Sequence, residues 1–193
     1  MYNFTTMFNF RRIADYLLYR FKAKTRHGTH SPFVYRLVDK VIYDFSAKKV
    51  YNELKLSDST RSVKINQLIY RLAADWKPNT IIELGSPLGL TSQYLQKAAP
   101  DAKVYSALTD KPDLIFINTN NPEEAINHFE QALSKVHTGT LLIIDGIYAN
   151  ESMKQAWVKI KADPQVTITI DLYRIGLIYF REGQVKEDFV IKI

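Results

Sequence analysis

The segment that most constrains this 193-residue chain is Thr80–Ser92, which reads TIIELGSPLGLTS. Its short apolar run, Ile81 to Leu84, is typical of a buried strand. Gly85 and Gly89 suit a tight turn in which the backbone can lie close to a ligand. The residues after the second glycine favour a helix. The segment therefore predicts the first strand, turn and helix of a nucleotide-type α/β sheet.

The sequence after this segment alternates between apolar runs and amphipathic stretches. The predicted helices cover residues 91–99, 122–137 and 151–161. The predicted strands cover residues 81–84, 103–107, 114–118, 141–145, 166–172 and 175–180, the last two joined by a tight turn. Such alternation indicates a mostly parallel sheet with helices on both faces, closed by a C-terminal antiparallel hairpin. We expect a Rossmann-like α/β fold.

The first 79 residues have a helical pattern instead. Helices are predicted over residues 4–24, 32–44 and 61–76, each with an apolar stripe at helical spacing. The stripe of the first helix needs a partner. We expect a helical N-terminal extension over residues 1–79 and an α/β domain over residues 80–193.

Composition narrows the class of protein. Apolar residues make up 46% of the chain, which is enough for a sizeable core. No apolar run reaches the roughly 20 residues of a membrane span, and the first residues do not resemble a signal peptide. The absence of cysteine excludes disulfides and thiolate chemistry. We therefore expect a cytoplasmic protein with no membrane anchor.

The charge of +6 is unevenly distributed along the chain. Residues 1–61 carry 12 Lys and Arg against 5 Asp and Glu, whereas residues 62–193 carry 14 against 15. Such a basic third suits either a polyanion-binding surface or the solvated faces of amphipathic helices. Because no run of five basic residues occurs, solvated faces are favoured and nucleic acid is not the expected partner.

The region after Thr80 resembles the class I S-adenosylmethionine-dependent methyltransferases, nearest to the small O-methyltransferase branch. In that family the first strand ends E-(L/I)-G-x-x-x-G-x-(S/T), and Glu83, Leu84, Gly85, Gly89 and Thr91 occupy those positions. The terminal hairpin agrees. The RHGTHSPF segment ahead of the fold is similar to one bacterial branch of methyltransferase-like proteins.

The resemblance implies a site for S-adenosylmethionine at this turn. The implied cofactor contacts are Glu83, Gly85, Ser86, Gly89 and Thr91. Backbone amides at the start of the helix can hold the carboxylate of the methionyl tail. Glu83 would face the ammonium of that tail, or it would cap a neighbouring loop.

The acid that binds the ribose hydroxyls in the family has no counterpart at the end of the second strand. Ser106, Ala107 and Leu108 occupy that place, and Asp110 lies further along. Only about six residues then precede the next strand, where full-length members place a helix, a strand and a helix. Six residues reach at most about 20 Å, barely enough for a crossover between parallel strands. We expect a very short second strand or a different neighbour for it, one or two strands and helices fewer than a full methyltransferase, and an open groove at the adenine position.

Metal-dependent members bind a divalent cation through acidic residues at the ends of the next two strands. Asn118 and Asp145 are the corresponding polar residues here, and only Asp145 is a carboxylate. One carboxylate rarely retains Mg²⁺, so no catalytic metal is expected. Asp145 would act as a general base toward an acceptor hydroxyl, or it would cap the turn before Asn150.

His27 and His30 flank Gly28 in a loop between the first two helices. This spacing, without acidic or cysteine neighbours, is a weak metal or base motif, and a structural joint near the mouth of the sheet is favoured.

Three functions are consistent with the sequence. The first is a methyltransferase-like protein with a degraded cofactor site and an unknown acceptor. The second is a catalytically inactive module of the same fold that acts as a homodimer or binds a protein partner. The third is polyanion or RNA binding through the basic N-terminal third.

Overall fold

The computed structural model describes residues 4–54, 63–85 and 89–193, with the side chains of residues 4–10 and of residue 27 outside the description. Its α-helices are Phe4–Lys22 (α1), Pro32–Leu37 (α2), Lys49–Glu53 (α3), Val63–Trp76 (α4), Gly89–Ala98 (α5), Pro122–Leu133 (α6) and Glu151–Ala162 (α7). Arg26–Gly28 is a 3-10 turn, and Val38–Ile42 continues α2 as a π-helix. None of the described helices is both long and apolar enough to cross a membrane.

Seven strands form one mixed sheet. They are Thr80–Gly85 (β1), Lys103–Tyr105 (β2), Leu114–Asn118 (β3), Leu141–Asp145 (β4), Ile168–Asp171 (β5), Ile175–Tyr179 (β6) and Glu187–Val190 (β7). The order is β2-β1-β3-β4-β6-β5-β7, with β2, β1, β3 and β4 parallel and β6 antiparallel to both neighbours. This confirms the predicted Rossmann-like fold with its antiparallel hairpin.

The short connection from β2 to β3 is explained by the register. β2 has only three residues, and Tyr105 lies beside Ile82 of β1. On the other side of β1, Leu114 pairs with Ile81. The chain therefore has to return by only about one residue along the strand direction, which eight residues can span. No helix or strand intervenes, as predicted.

Two apolar layers cover the sheet. On the face that we call the α4 face, α2, α4 and α5 pack against residues such as Phe116 and Ile143. On the opposite, α7 face, α6 and α7 pack against residues such as Ile115 and Ile144. The N-terminal helices thus share a core with the sheet. The domain boundary at residue 79 stays a prediction.

Helix α1 is held by polar contacts, and its aliphatic side faces outward. Asp15 is buried and accepts from Lys154 of α7 at 2.6 Å, while Tyr19 donates its hydroxyl proton to the Ile191 carbonyl. The predicted apolar stripe has no partner in the described part of the chain, since four of its residues are more than half exposed. These are Ile13, Leu17, Leu18 and Phe21.

Many cations of the basic N-terminal third are paired with acids. Arg11 binds Glu151 at 3.1 Å, and Arg36 binds both carboxylate oxygens of Asp75. Arg26 forms an ion pair with Asp39, and Lys48 forms one with Asp44. These pairs reduce the charge available to a polyanion, and a polyanion surface stays a prediction.

Candidate functional site

Glu83 lies near the carboxyl edge of the sheet, the edge at which β1, β3 and β4 end. Its neighbours Ile82 and Leu84 belong to the α7 face, so Glu83 points to the α4 face, where Ser92 of α5 donates a hydrogen bond to its Oε2 at 2.5 Å. Its Oε1 is buried and has no hydrogen-bond partner among the described residues. Burial raises the pKa of Glu83, and the Ser92 bond only partly opposes this. The carboxylate thus has one oxygen anchored and one that lacks a donor.

Gly85 ends β1 with φ at +87°, where L side chains are strained. A Cβ at this position would lie 2.2 Å from the backbone oxygen of Asn118 on β3. Gly89 starts α5, and a Cβ there would meet no described atom within 4 Å. The predicted contact Ser86 lies outside the described residues. One glycine is therefore required by the neighbouring strand, while a Cβ at the other would meet no described atom.

Thr91 anchors α5 to α4. Its hydroxyl donates to Oδ1 of Asn66 at 2.8 Å, and both side chains are buried. Its predicted contact with the cofactor stays a prediction, but this bond gives it a structural role. Asn66 was not identified from the sequence, because no motif distinguishes a buried asparagine in an apolar helix.

Asp145 lies on the same face and edge as Glu83. Ile143 packs on the α4 face and Ile144 on the α7 face, so alternation returns Asp145 to the α4 face. Two strand spacings and two residues along the strand separate Asp145 from Glu83, or about 12 Å between Cα atoms. The α4 face thus presents two carboxylates at the carboxyl edge.

Asn118 follows the same alternation and lies beside Asp145 in the register of β3 and β4. The helix after β4 is capped by Asn150, whose side chain accepts from the amide of Met153 at 2.8 Å. Asn150 is therefore the cap of that helix. Both roles predicted for Asp145, as a general base and as the cap of the turn before Asn150, stay predictions.

The ribose end of the implied cofactor site lacks an acid in the described residues. All three residues of β2 are exposed, and so are Ser106 and Ala107. Asp110 forms an ion pair with Lys135 at 2.6 Å, after the end of α6 and near the opposite edge of the sheet. The described residues therefore fit the methionyl end of S-adenosylmethionine, through Glu83 and Gly85, but not the ribose end.

The structure does not bring the predicted histidine pair to the turn. The backbone of Lys24, just before the loop, bridges to Ile191 beyond β7, which is at the other end of the sheet from β2. His30 is exposed, and the side chain of His27 lies outside the description. The loop is thus far from Glu83.

No group of three or more metal-ligating His, Asp or Glu side chains occurs within the described ranges. The absence of a catalytic metal stays a prediction.

A cavity of about 750 Å³, which we call the α4 cavity, opens on the α4 face. The Trp76 indole, at the C-terminal end of α4, donates to the carbonyls of Asp113 and Gly139, just before β3 and β4 begin. The C-terminal end of α4 therefore lies at the amino edge of these strands, and its N-terminal half lies at the carboxyl edge. This half lines the cavity together with α1, α3 and the turn between β5 and β6. Gly146, directly after Asp145, donates its amide to Arg174 of that turn at 2.8 Å. The cavity therefore adjoins the carboxyl edge.

The turn beside the cavity is held by a buried acid. Asp171 accepts from the Tyr173 amide at 2.8 Å and from the Tyr148 hydroxyl at 2.9 Å. Burial raises the pKa of Asp171, and its hydrogen bonds oppose the shift. These bonds support Tyr173 at φ +63°, an uncommon value for a residue with a side chain. The cavity was not predicted from the sequence. Twelve tyrosines in the chain were a weak signal for it.

No protein-family model matches the sequence, and no curated protein sequence matches it. Similar solved structures are methyltransferases. The SAH-bound methyltransferase PaMTH1 from Podospora anserina has a TM-score of 0.57 and 13% identity, with 80% of this chain and 97% of that chain covered.

The O-methyltransferase TomG from Streptomyces achromogenes, solved with SAM, has a TM-score of 0.51 and 16% identity, over 77% of this chain and 95% of that chain. A methyltransferase from Geobacter sulfurreducens has a TM-score of 0.50 and 14% identity, with 70% of this chain and 90% of that chain covered. The chain therefore has the class I methyltransferase fold, and identities this low carry no more than the fold.

Proposed function

We propose that this chain is a methyltransferase-type protein that binds S-adenosylmethionine or S-adenosylhomocysteine at the carboxyl edge of its sheet. The observation that carries the proposal is the buried Oε1 of Glu83, which has no hydrogen-bond partner among the described residues and lies near Gly85. A buried charged oxygen without a donor is unfavourable, and the ammonium of the methionyl tail would supply that donor.

The residues of this chain would have two tasks in a transfer reaction. Bound S-adenosylmethionine would supply an electrophilic methyl group, to which an acceptor oxygen or nitrogen would bond as the carbon–sulfur bond breaks and S-adenosylhomocysteine leaves. Glu83 and the turn from Gly85 to Gly89 hold the amino-acid end, and Asp145 takes the proton of an acceptor hydroxyl. Most of the rate would come from positioning.

We expect weak cofactor binding, because the ribose lacks a carboxylate partner in the described residues. A hydrogen bond to a charged group contributes about 1.5–3 kcal/mol, which corresponds to a loss of about ten- to a hundredfold in affinity. If β2 continued by one residue in the same register, Ser106 would lie beside Glu83 and on the same face. Ser106→Asp would then restore the missing acid.

The test is calorimetric titration of the folded protein with S-adenosylhomocysteine at up to millimolar concentration. Weak binding by the natural chain and tighter binding by Ser106→Asp would support the proposal. Ser106→Ala is the matched control and should bind like the natural chain. Absence of heat for both the natural chain and Ser106→Asp would refute cofactor binding.

A second function, an inactive module that binds another protein or a second copy, is favoured by the exposed stripe of α1. Leu17 and Phe21 are 62% and 91% exposed. Exposed apolar side chains grouped on one helix face are typical of interaction surfaces. Light scattering and pull-down with Leu17→Ser/Phe21→Ser test this function. This function requires that the natural chain forms a complex and that the double variant loses it. A natural chain that is monomeric and recovers no partner protein would contradict it.

A further inference from the structure

The α4 cavity combines an apolar aromatic lining with positive charge. Its aromatic residues include Tyr16, Tyr19, Phe45, Tyr51 and Tyr173. Its volume of about 750 Å³ is in the range of small-molecule sites, roughly 300–1,000 Å³. A ligand with an apolar, preferably aromatic body fits such a lining.

The charged side chains of the lining are all cations. Lys48, Lys64, Arg71 and Arg174 line the cavity, and no Asp or Glu occurs among the described lining residues. Lys48 is paired with Asp44 at 2.9 Å, outside the lining. The other three have no carboxylate partner in the ranges that the structure describes. The lining side chains therefore carry an excess of positive charge.

Arg71 is the most informative of these cations because it is only 9% exposed. Its Nε donates to the Val41 carbonyl at 2.8 Å and its Nη2 to the Ile42 carbonyl at 3.1 Å. Both carbonyls end the π-helix, so these bonds cap that helix. The cap uses two nitrogens and leaves Nη1 for another acceptor. Since carbonyls are neutral, the buried guanidinium charge is not balanced.

We propose that the α4 cavity binds a small amphipathic acid, with its carboxylate or phosphate at Arg71 and its apolar body against the tyrosines. Arg174 and Lys64 add positive charge at the rim. The cavity adjoins the carboxyl edge at Asp145 and Arg174, so the bound acid is the methyl acceptor, a role that rests on the proposed function. The binding of the acid itself does not depend on the cofactor.

The test uses three probes of one shape and different charge. 1-Naphthaleneacetate and 1-naphthyl phosphate are the anionic probes, and 1-naphthaleneacetamide is the neutral control. Each is titrated by calorimetry into the protein without cofactor. We expect at least one anion to bind about ten- to a hundredfold more tightly than the amide, the range for a hydrogen bond to a charged group. The tighter anion identifies the acid group.

Two variants locate the charge preference. Arg71→Met should abolish the preference for the anion and leave amide binding nearly unchanged. Arg71 also caps the π-helix, so its replacement could disturb the fold. The second variant is therefore Arg174→Gln, at an exposed turn residue, and it should reduce the preference for the anion about threefold or more. Arg181→Gln removes an arginine that stacks on Phe33 outside the cavity and should change nothing.

Equal binding of anions and amide, or no binding of any probe, would overturn the proposal. An anion preference that survives both Arg71→Met and Arg174→Gln would overturn it as well. The cofactor titration separates the two proposals. Anion binding without S-adenosylhomocysteine binding leaves the cavity proposal standing and removes the acceptor role. Binding of S-adenosylhomocysteine without binding of either anion would overturn the cavity proposal and leave the proposed cofactor site standing.

Discussion

Replacement of Gly85 by alanine tests the geometry on which the candidate cofactor turn depends. The added Cβ would lie 2.2 Å from the Asn118 oxygen and 2.9 Å from its carbonyl carbon, both backbone atoms of the adjacent strand. A side chain at positive φ costs about 1–2 kcal/mol. Overpacking against a backbone that cannot rotate away adds about 1–3 kcal/mol. We expect Gly85→Ala to lower the free energy of unfolding by about 2–5 kcal/mol.

Gly89→Ala is the matched control. A Cβ there meets no described atom within 4 Å, and Gly89 has helical geometry at the start of α5. Alanine should leave the free energy of unfolding unchanged or raise it by up to about 1 kcal/mol, because it reduces the freedom of the unfolded chain. It should also weaken S-adenosylhomocysteine binding, because the new methyl group takes up space beside the turn.

Urea denaturation followed by circular dichroism measures both variants, with equal slopes required before the free energies are compared. The reasoning is refuted if Gly85→Ala is as stable as the natural chain, or if Gly89→Ala is destabilised to the same extent.

Three further predictions follow from the described contacts. Glu83→Gln should weaken S-adenosylhomocysteine binding at least about tenfold without lowering the melting temperature, because it removes a partly desolvated charge; lost stability instead would indicate a purely structural Glu83. Thr91→Val should cost about 1–3 kcal/mol in urea denaturation, since Asn66 Oδ1 loses its donor, and an unchanged midpoint would contradict this. Burial raises the pKa of Asp171 in the folded protein above its ordinary value of 3.8. The protonated carboxyl group therefore contributes its full stabilisation below pH 3.8, and this contribution is lost as the pH rises through the raised pKa. The free energy of unfolding of Asp171→Asn minus that of the natural chain should therefore increase with pH over this interval, and a flat difference would argue against the shift.

The strands that sequence analysis identified best are those buried on both faces. Residues 114–118 and 141–145 are continuous apolar runs, and the structure places strands on the same residues. β7 was missed because its sequence, Glu187–Val190, is polar at two of four positions and it pairs only with β5 in the sheet. Strand β2 was predicted with five residues and has three. Apolar patterns thus predicted the central strands better than the edges.

The orientation of α1 was not predictable from its pattern. Periodicity shows which residues share a helix side, and the apolar side is usually the buried one. Here the side with Asp15 and Tyr19 is fixed by contacts to Lys154 and Ile191, more than a hundred residues away. Such contacts leave no local trace in the sequence.

The candidate site was predictable where a local motif defines it. Glu83 and Gly85 follow from one strand and turn. The structure places Glu83 on β1 near the carboxyl edge and Gly85 at positive φ, and their contacts with the cofactor stay predictions. Arg71 and Asn66 act through partners about 25 to 30 residues away, at Val41 and Thr91. Their roles depend on helix packing, which a single sequence does not reveal.

The three-residue β2 also has a consequence for how the molecule fluctuates. It bonds to β1 alone, all three of its side chains are exposed, and its connection to β3 contains no secondary structure. Its hydrogen bonds can therefore open locally, at a free energy far below that of global unfolding. The Lys103 amide donates to the Asn79 carbonyl, and by alternation the Tyr105 amide also faces β1. In hydrogen-exchange measurements these two amides should lose protection well before those of β3 and β4. Opening of this strand would uncover the outer edge of β1, the strand that carries Glu83.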